Sequence, residues 1–304
     1  MYLTRPYENW HDLQAIADLA YGAGPHFLHV MDLPYRLASW TLDKPQNFRL
    51  WYDAAGRLMA VGIVQEAFLA LEYLIHPQAD RPVLEPEILQ WGLERGQAVA
   101  NEQATTFPIN VWLRSDHPQP DRAALLESYG LAPAGTDVTM RCDLTERHIP
   151  ENVPGGFTIR PLRGQADVAA YVELHRAAFG STVMRESWRM RILQMPQYRP
   201  ELDLVAVAED GRLAAFCIGW LHPHQPLAQI EPMGVHPDFH RLGLGQAILA
   251  AVLQRLRIRN IQFVSLFTTT DNVPAIKLYE SLGFQEQYTM RSYRRLFKPA
   301  DDED

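Results

Sequence analysis

Cysteine is scarce in this chain. Cys142 and Cys217 are the only two in 304 residues, so no disulfide framework holds the fold. Long hydrophobic runs are missing as well. The longest purely apolar stretch, Ala247 to Leu253, falls far short of the ~20 residues a membrane helix needs. Positive charge is in deficit, with 28 Lys and Arg against 36 Asp and Glu, a net charge of −8. A nucleic-acid partner normally demands a basic face, and this balance argues against one. The opening residues carry Glu8 and Asp12 and no apolar signal core, so a secretory peptide is not expected. Charged residues are 21% and hydrophobic residues 47% of the chain, which excludes a disordered protein. The expectation is a soluble, cytoplasmic protein of two domains at ~150 residues each.

What is present is a repeat. Gly56-Arg57-Leu58-Met59-Ala60 matches Gly211-Arg212-Leu213-Ala214-Ala215, and Arg5-Pro6 matches Arg160-Pro161. His76-Pro77 and Ile88-Leu89 match His236-Pro237 and Ile248-Leu249, and Glu127-Ser128-Tyr129-Gly130 matches Glu280-Ser281-Leu282-Gly283. The order is kept and the spacing drifts by only a few residues, as in a duplicated domain. Pro150, Pro154, Gly155 and Gly156 mark the joint. This divides the chain into residues 1–143, a linker over 144–156, a second domain over 157–299 and an acidic tail over 300–304, which is expected to fray.

The second half alternates strands and helices. Strands are predicted at Phe157 to Leu162, Leu202 to Ala208, Arg212 to Leu221, Leu227 to Val235, Ile261 to Thr268 and Tyr288 to Phe297. Helices are predicted at Gln165 to Phe179, Val183 to Gln194, Gln246 to Arg257 and Pro274 to Leu282. Asp210-Gly211 is a hairpin turn signal. Pro274 at a helix start and Gly283 just past its end follow the usual asymmetry. The fold class expected is α/β in the α+β sense: two tandem domains, each a mixed, mostly antiparallel sheet flanked by helices.

One segment carries the chemistry. In Glu231-Pro232-Met233-Gly234-Val235-His236-Pro237-Asp238-Phe239-His240-Arg241-Leu242-Gly243-Leu244-Gly245-Gln246 a strand enters a turn with two glycines and a helix follows. Glycines let the backbone approach a ligand closely, and the free N–H groups of a helix start face outward. Together with the helix dipole they suit a pyrophosphate. No Gly-Lys-Ser/Thr follows, so this is not a nucleoside-triphosphate loop, and the third glycine of a dinucleotide fingerprint is missing. Taken alone, Gly-x-Gly is also what a plain tight turn looks like.

Further on comes Asp271-Asn272-Val273-Pro274-Ala275-Ile276-Lys277-Leu278-Tyr279-Glu280-Ser281-Leu282-Gly283-Phe284. With both segments in this order, residues 157–297 resemble the GNAT superfamily of acetyltransferases. That family's acyl-CoA motif is Gln/Arg-x-x-Gly-x-Gly/Ala, and its second element is Asn…Ala-x-x-x-Tyr-x-x-x-Gly-Phe. His240 stands where the family prefers Gln or Arg. The resemblance implies acetyl-CoA as co-substrate and no metal. It implies that Met233 and Val235 hold the pantetheine arm and thioester through the strand backbone. Arg241, Leu242, Gly243, Leu244, Gly245 and Gln246 would then cradle the pyrophosphate, Asn272 would contact the CoA arm, and Tyr279 would protonate the leaving thiolate. Packing is the plain alternative for Tyr279, which shares a helix face with Ile276 and Gly283.

The base is less directly indicated. The family often has Glu fourteen residues before the first motif glycine, and Gln229 occupies that place here. Glu231, two residues on and so on the same strand face, is the candidate base, with His222 and His224 behind it. Its alternative role is a structural hydrogen-bond partner. As metal ligands the two histidines lack a third partner. Trp188, Met195 and Tyr198 are candidate acceptor-pocket walls or core, Cys217 is a small apolar core residue, and Arg291, Arg294 and Arg295 form a solvated strand face. In the first half Val83 and Glu85 replace Gly243 and Gly245, Leu126 replaces Tyr279, and Gln119 replaces Asn272. Pro82 and Pro86 remove two N–H donors. That half is therefore expected to be GNAT-like, non-catalytic and unable to bind acetyl-CoA in the usual way. The function implied is N-acetyl transfer to an amine in a ternary complex, with a non-catalytic acyl-CoA-binding protein as the alternative. The partners expected are a small-molecule or peptide amine and a second copy of the chain as a homodimer, with no nucleic acid and no membrane.

Overall fold

The computed structural model of the chain describes residues 2–22, 31–116, 120–145 and 147–300. Gln119 and the tail from Asp301 to Asp304 lie outside the described residues. In chain order the elements are β1 (Leu3–Arg5), α1 (Trp10–Gly22), α2 (Leu33–Leu37), β2 (Phe48–Tyr52), β3 (Leu58–Gln65), β4 (Ala70–Ile75), α3 (Arg81–Gln103), β5 (Phe107–Arg114), α4 (Pro120–Ser128) and β6 (Ala132–Asp143). They continue with β7 (Phe157–Pro161), α5 (Val168–Phe179), α6 (Glu186–Gln194), β8 (Asp203–Ala208), β9 (Leu213–Leu221), β10 (Leu227–Val235), α7 (Leu244–Ile258), β11 (Phe263–Thr269), α8 (Val273–Ser281) and β12 (Gln285–Phe297). Among these residues no helix is long and apolar enough to cross a membrane.

The chain forms two compact units. One comprises Met1–Val30, Trp40–Asp137 and Thr289–Asp304, the other Met31–Ser39 and Val138–Tyr288. Each unit thus takes in chain from beyond the 144–156 joint. In the first, β1, β2, β3, β4 and β5 are successive neighbours, and Met290 to Phe297 of β12 pairs antiparallel with β5. In the second the order is β6, β11, β10, β9, β8, β7. Both sheets are mixed and mostly antiparallel, as expected. The parallel pairs are β4 with β5 and β10 with β11.

The duplication survives in side-chain detail. Arg5 Nη1 donates to Pro6 O at 3.0 Å and to Asp12 Oδ2 at 2.8 Å. Arg160 Nη1 donates to Pro161 O at 3.0 Å and to Asp167 Oδ2 at 2.6 Å. In both units the carboxylate also accepts a backbone N–H at 2.8 Å, from Glu8 or from Arg163. It therefore pins the first strand to the first helix.

The second unit's core lies under one sheet face. Ala215 and Cys217 of β9, Ala228 and Ile230 of β10, and Ile248, Leu249, Val252 and Leu253 of α7 form one buried cluster. The helical residues repeat at the spacing of a core-facing stripe. Phe216, one residue out of phase, points to the other face, where it meets Tyr171 and His175 of α5. Cys217 is fully buried, as a small apolar residue should be.

Candidate active site

The site of the second unit begins with a strand that loses one neighbour. β10 pairs with β11 only at Leu227, Ala228 and Gln229, against Phe263, Val264 and Ser265. On its other edge it stays paired with β9 down to Val235. From Ile230 onward β10 therefore presents one backbone edge to an opening. Its register against β9 shifts between Ile230 and Met233, so Glu231-Pro232 is a bulge. Proline supplies no N–H to the ladder and is tolerated at such a place. The bulge lets Ile230, Met233 and Val235 all reach the α7 core, although their numbering does not alternate. Met233 and Val235 line the opening's edge and are half-buried.

The glycine turn sits at the end of that edge. Arg241 and Gly243 have φ of 63° and 80°, the left-handed region where glycine costs nothing. Gly243 is the residue before α7 and offers no side-chain cap. Among the described residues the N–H groups of Gly243, Leu244, Gly245 and Gln246 donate to no other group of the chain, and helix bonding starts with Ala247 N to Gly243 O at 3.0 Å. A Cβ at Gly245 would come within 3.1 Å of Leu278 Cδ2. Arg241, Leu242 and Gly243 are exposed and Leu244 is buried. Gln246 Nε2 donates to Ser281 Oγ at 3.2 Å, tying α7 to α8. His240 Nε2 lies 3.1 Å from Val235 O and braces the turn against the strand.

Helix α8 supplies the next two residues. Asn272 caps it, accepting from Ala275 N at 3.3 Å, and its Nδ2 donates to Thr268 Oγ1 at 3.1 Å. Its side chain thus fixes the strand-to-helix corner while remaining exposed. Tyr279 is 7% exposed, with its ring 6.0 Å from that of Phe284. Its hydroxyl makes no hydrogen bond among the described residues. Burial, then the nearby Glu231 carboxyl and the Cys217 thiol, push the phenol well above its usual range. A neutral phenol with no acceptor for its O–H is free to donate that hydrogen to a group that reaches it.

Glu231 is set from several sides. The Trp220 indole N–H donates to Glu231 O at 2.6 Å. Burial and the Asp32 carboxylate push the Glu231 carboxyl up to about 8, against the Arg36 guanidinium, which pulls it down. Asp32 and Arg36 flank or lie on α2, which belongs to this unit although it comes from the first half of the chain. Trp188 Nε1 donates to Tyr35 O at 3.1 Å, Arg191 Nη1 donates to Ser39 O at 2.6 Å, and Tyr35 Oη lies 3.4 Å from His175 Nε2. The Tyr35 ring also packs 5.3 Å from Trp188 and 6.5 Å from Trp220. Sequence reasoning did not find Asp32 and Arg36. Nothing in Met31 to Ser39 signals which half it joins.

Of the other sequence candidates, Trp188 joins this group through Tyr35. Gln229 is buried, and its amide nitrogen has no partner among the described residues. His224 N donates to the His222 ring at 3.1 Å, a turn beyond β9. No group of three or more His, Cys, Asp or Glu among the described residues is placed to hold a metal ion. Trp188 is buried against Tyr35, and the Tyr198 hydroxyl donates to Asp203 Oδ2 at 2.6 Å beside Arg189. Met195 is half-buried. Arg291, Arg294 and Arg295 are exposed on β12, the last two bonded to Asn110 and Tyr129 of the first unit.

Comparison with known proteins points to one family. The profile of the acetyltransferase (GNAT) family matches residues 168–284. A mycothiol acetyltransferase of Thermomonospora curvata is 32% identical over 206 residues, which is 66% of this chain and 68% of that protein. One from Salinispora tropica is 33% identical over 210 residues, 66% of this chain and 67% of that protein. A GCN5-related N-acetyltransferase of Sphaerobacter thermophilus superposes with a TM-score of 0.69 at 21% identity, over 99% of this chain and 97% of that one. A tandem GNAT protein from the clavulanic acid biosynthesis pathway gives 0.68 at 18% identity, over 99% of this chain and all of that one (100%). At such identities the two structures speak for the fold.

Proposed function

The chain belongs to the GNAT family of acetyltransferases, and on that footing we propose that its second unit passes the acetyl group of acetyl-CoA directly to an amine while both are bound. One observation carries this reading: the edge of β10 left open beyond Gln229 leads straight to the free N–H groups at the start of α7. A pantetheine arm can add to the open edge as a strand would, and the N–H groups with the helix dipole can take the pyrophosphate. Arg241 adds positive charge at the rim.

The chemistry then falls to two side chains. The amine nitrogen attacks the thioester carbon, the N–C bond forms, and the C–S bond breaks. Negative charge on the carbonyl oxygen meets backbone N–H groups of the strand edge around Met233 and Val235. Glu231 takes the proton the ammonium must lose, directly or through one water. Tyr279 gives its proton to the departing thiolate and regains one from the second proton that the nitrogen sheds as the amide forms. An ordinary carboxylate is a poor base for an ammonium near the lysine value of ~10.4, and a carboxyl raised to about 8 is a better match. Asn272 holds the α8 corner that sets Tyr279 over the opening.

The acceptor is an amine of a small molecule or peptide. The relatives' name, mycothiol acetyltransferase, makes mycothiol chemistry the first acceptor class to try. The test is release of free thiol from acetyl-CoA with a panel of mycothiol-related amines, polyamines, aminoglycosides and peptides. Amine-dependent release with an acetylated product supports the reading. Tight CoA binding with no release on any amine would favour a binding protein, the role that the loss of Glu at position 229 would suit.

A further inference from the structure

The first unit keeps the frame of the second around the same opening. His76 N donates to Met59 O at 2.8 Å and the His76 ring accepts from Gln78 N at 3.1 Å. His236 N donates to Ala214 O at 2.8 Å and the His236 ring accepts from Asp238 N at 3.2 Å. With the two histidines in register, Tyr73 falls on Met233, Arg81 on Arg241, Val83 on Gly243 and Glu85 on Gly245. β4 also leaves its parallel neighbour early, pairing with β5 at Ala70 and Asn110 alone.

The contents of the opening differ. Helix α3 begins at Arg81, a turn earlier than its counterpart, and Val83 N and Leu84 N donate to Asp80 O at 3.2 and 3.0 Å. Pro82 and Pro86 have no N–H to give. The N–H cradle is thus wound into helix. In its place stands the Glu85 side chain, 3% exposed. Glu85 Oε1 accepts from the Tyr73 hydroxyl at 2.6 Å and from Arg122 Nε at 2.6 Å, and Oε2 accepts from Arg81 Nη1 at 3.3 Å. Arg122 Nη2 donates to Tyr73 Oη at 2.8 Å, closing the ring of bonds. Arg122 comes from α4, the counterpart of α8.

We propose that Glu85 is a built-in anion: its carboxylate fills an anion site formed by Arg81, Arg122 and Tyr73 and closes the first unit's cleft to phosphorylated ligands. A carboxylate held by two guanidinium groups and a phenol is bonded much as a bound phosphate would be. The glycines of the second unit leave room for a ligand, whereas the first unit supplies the ligand from its own chain. The site is latent, and removing the Glu85 side chain should take from Arg81 and Arg122 the carboxylate that now bridges them.

The experiment titrates the full chain with inorganic phosphate as wild type, Glu85→Ala and Glu85→Ala/Arg122→Met. Alanine empties the site of both charge and bulk and is the best helix former, so α3 is kept. Any phosphate held at α7 is common to all three proteins and subtracts out. Calorimetry should find an additional phosphate site in Glu85→Ala that wild type lacks and that Arg122→Met removes. Thermal unfolding should agree, with phosphate raising the melting temperature of Glu85→Ala by ~3 °C more than that of wild type. Equal phosphate binding by wild type and Glu85→Ala would overturn the proposal. So would an extra site that survives Arg122→Met. Neither outcome depends on acetyl transfer, so the proposal stands or falls apart from the activity.

Discussion

The Glu231 carboxyl is subject to the opposing charges of a carboxylate and a guanidinium. Burial and Asp32 raise its pKa to about 8, and Arg36 works against them. A base acts only when deprotonated, so the kcat/KM of the wild type should climb with pH and level off above about 8. Asp32→Asn removes the like charge and should move that limb to lower pH, leaving its plateau height far less affected. Glu231→Gln should abolish the limb, with its rate deficit shrinking at alkaline pH as more amine arrives deprotonated. A limb that stays in place in Asp32→Asn would remove Asp32 from the account. Tyr279→Phe gives the matching test of the acid. Its hydroxyl makes no hydrogen bond among the described residues, so the fold should lose little, while kcat falls by ~10²-fold with acetyl-CoA affinity nearly intact. A normal kcat with a less stable fold would assign Tyr279 to packing. Tyr279 and Glu231 could be nominated from the sequence because each follows or flanks a motif. Asp32 and Arg36 were not, since their link to Glu231 exists only after the chain has folded back.

At the scale of elements the paired carboxylates Asp12 and Asp167 do the same work twice. Hydrogen bonds from Arg5, working against burial, hold the Asp12 carboxyl down to about 2. Burial would raise Asp167, but bonds from Arg160 and Arg163 outweigh it and hold it lower still. Carboxyls depressed in the folded state stabilise it above the unfolded pKa of ~4 and lose that contribution as pH falls through the folded value. Each unit should therefore weaken on acidification below pH ~4, and Asp167→Asn should flatten that dependence for the second unit. The same variant should cost ~2 kcal/mol at neutral pH, because it weakens a buried acceptor that serves Arg160 and the Arg163 backbone N–H. An acid-unfolding curve unchanged in Asp167→Asn would count against this role. Most strands and helices of the second half lie within a few residues of their predicted bounds, since apolar period, Pro and Gly mark them locally. The bulge at Glu231-Pro232 was visible only as a proline in a strand. The early start of α3 was hidden, because the sequence shows the lost glycines but not that the cradle winds into helix.

For the whole molecule, the duplicated motifs pointed to two GNAT-like units, and the fold has two. Which chain segments complete each unit was not legible. The passage of β12 into the first unit and of α2 into the second depends on pairings between residues far apart in sequence. The division of labour is clearer: one unit keeps an open strand edge and a free helix start, and the other fills the same place with Glu85. Titration calorimetry of acetyl-CoA, with thiol release measured on the same samples, tests this most directly. Wild type should bind about one acetyl-CoA per chain. Gly245→Glu sets a carboxylate in the cradle of α7, where even a Cβ comes within 3.1 Å of Leu278. It should abolish both binding and amine-dependent thiol release. Two comparable sites in the wild type, or thiol release that survives Gly245→Glu, would contradict the account.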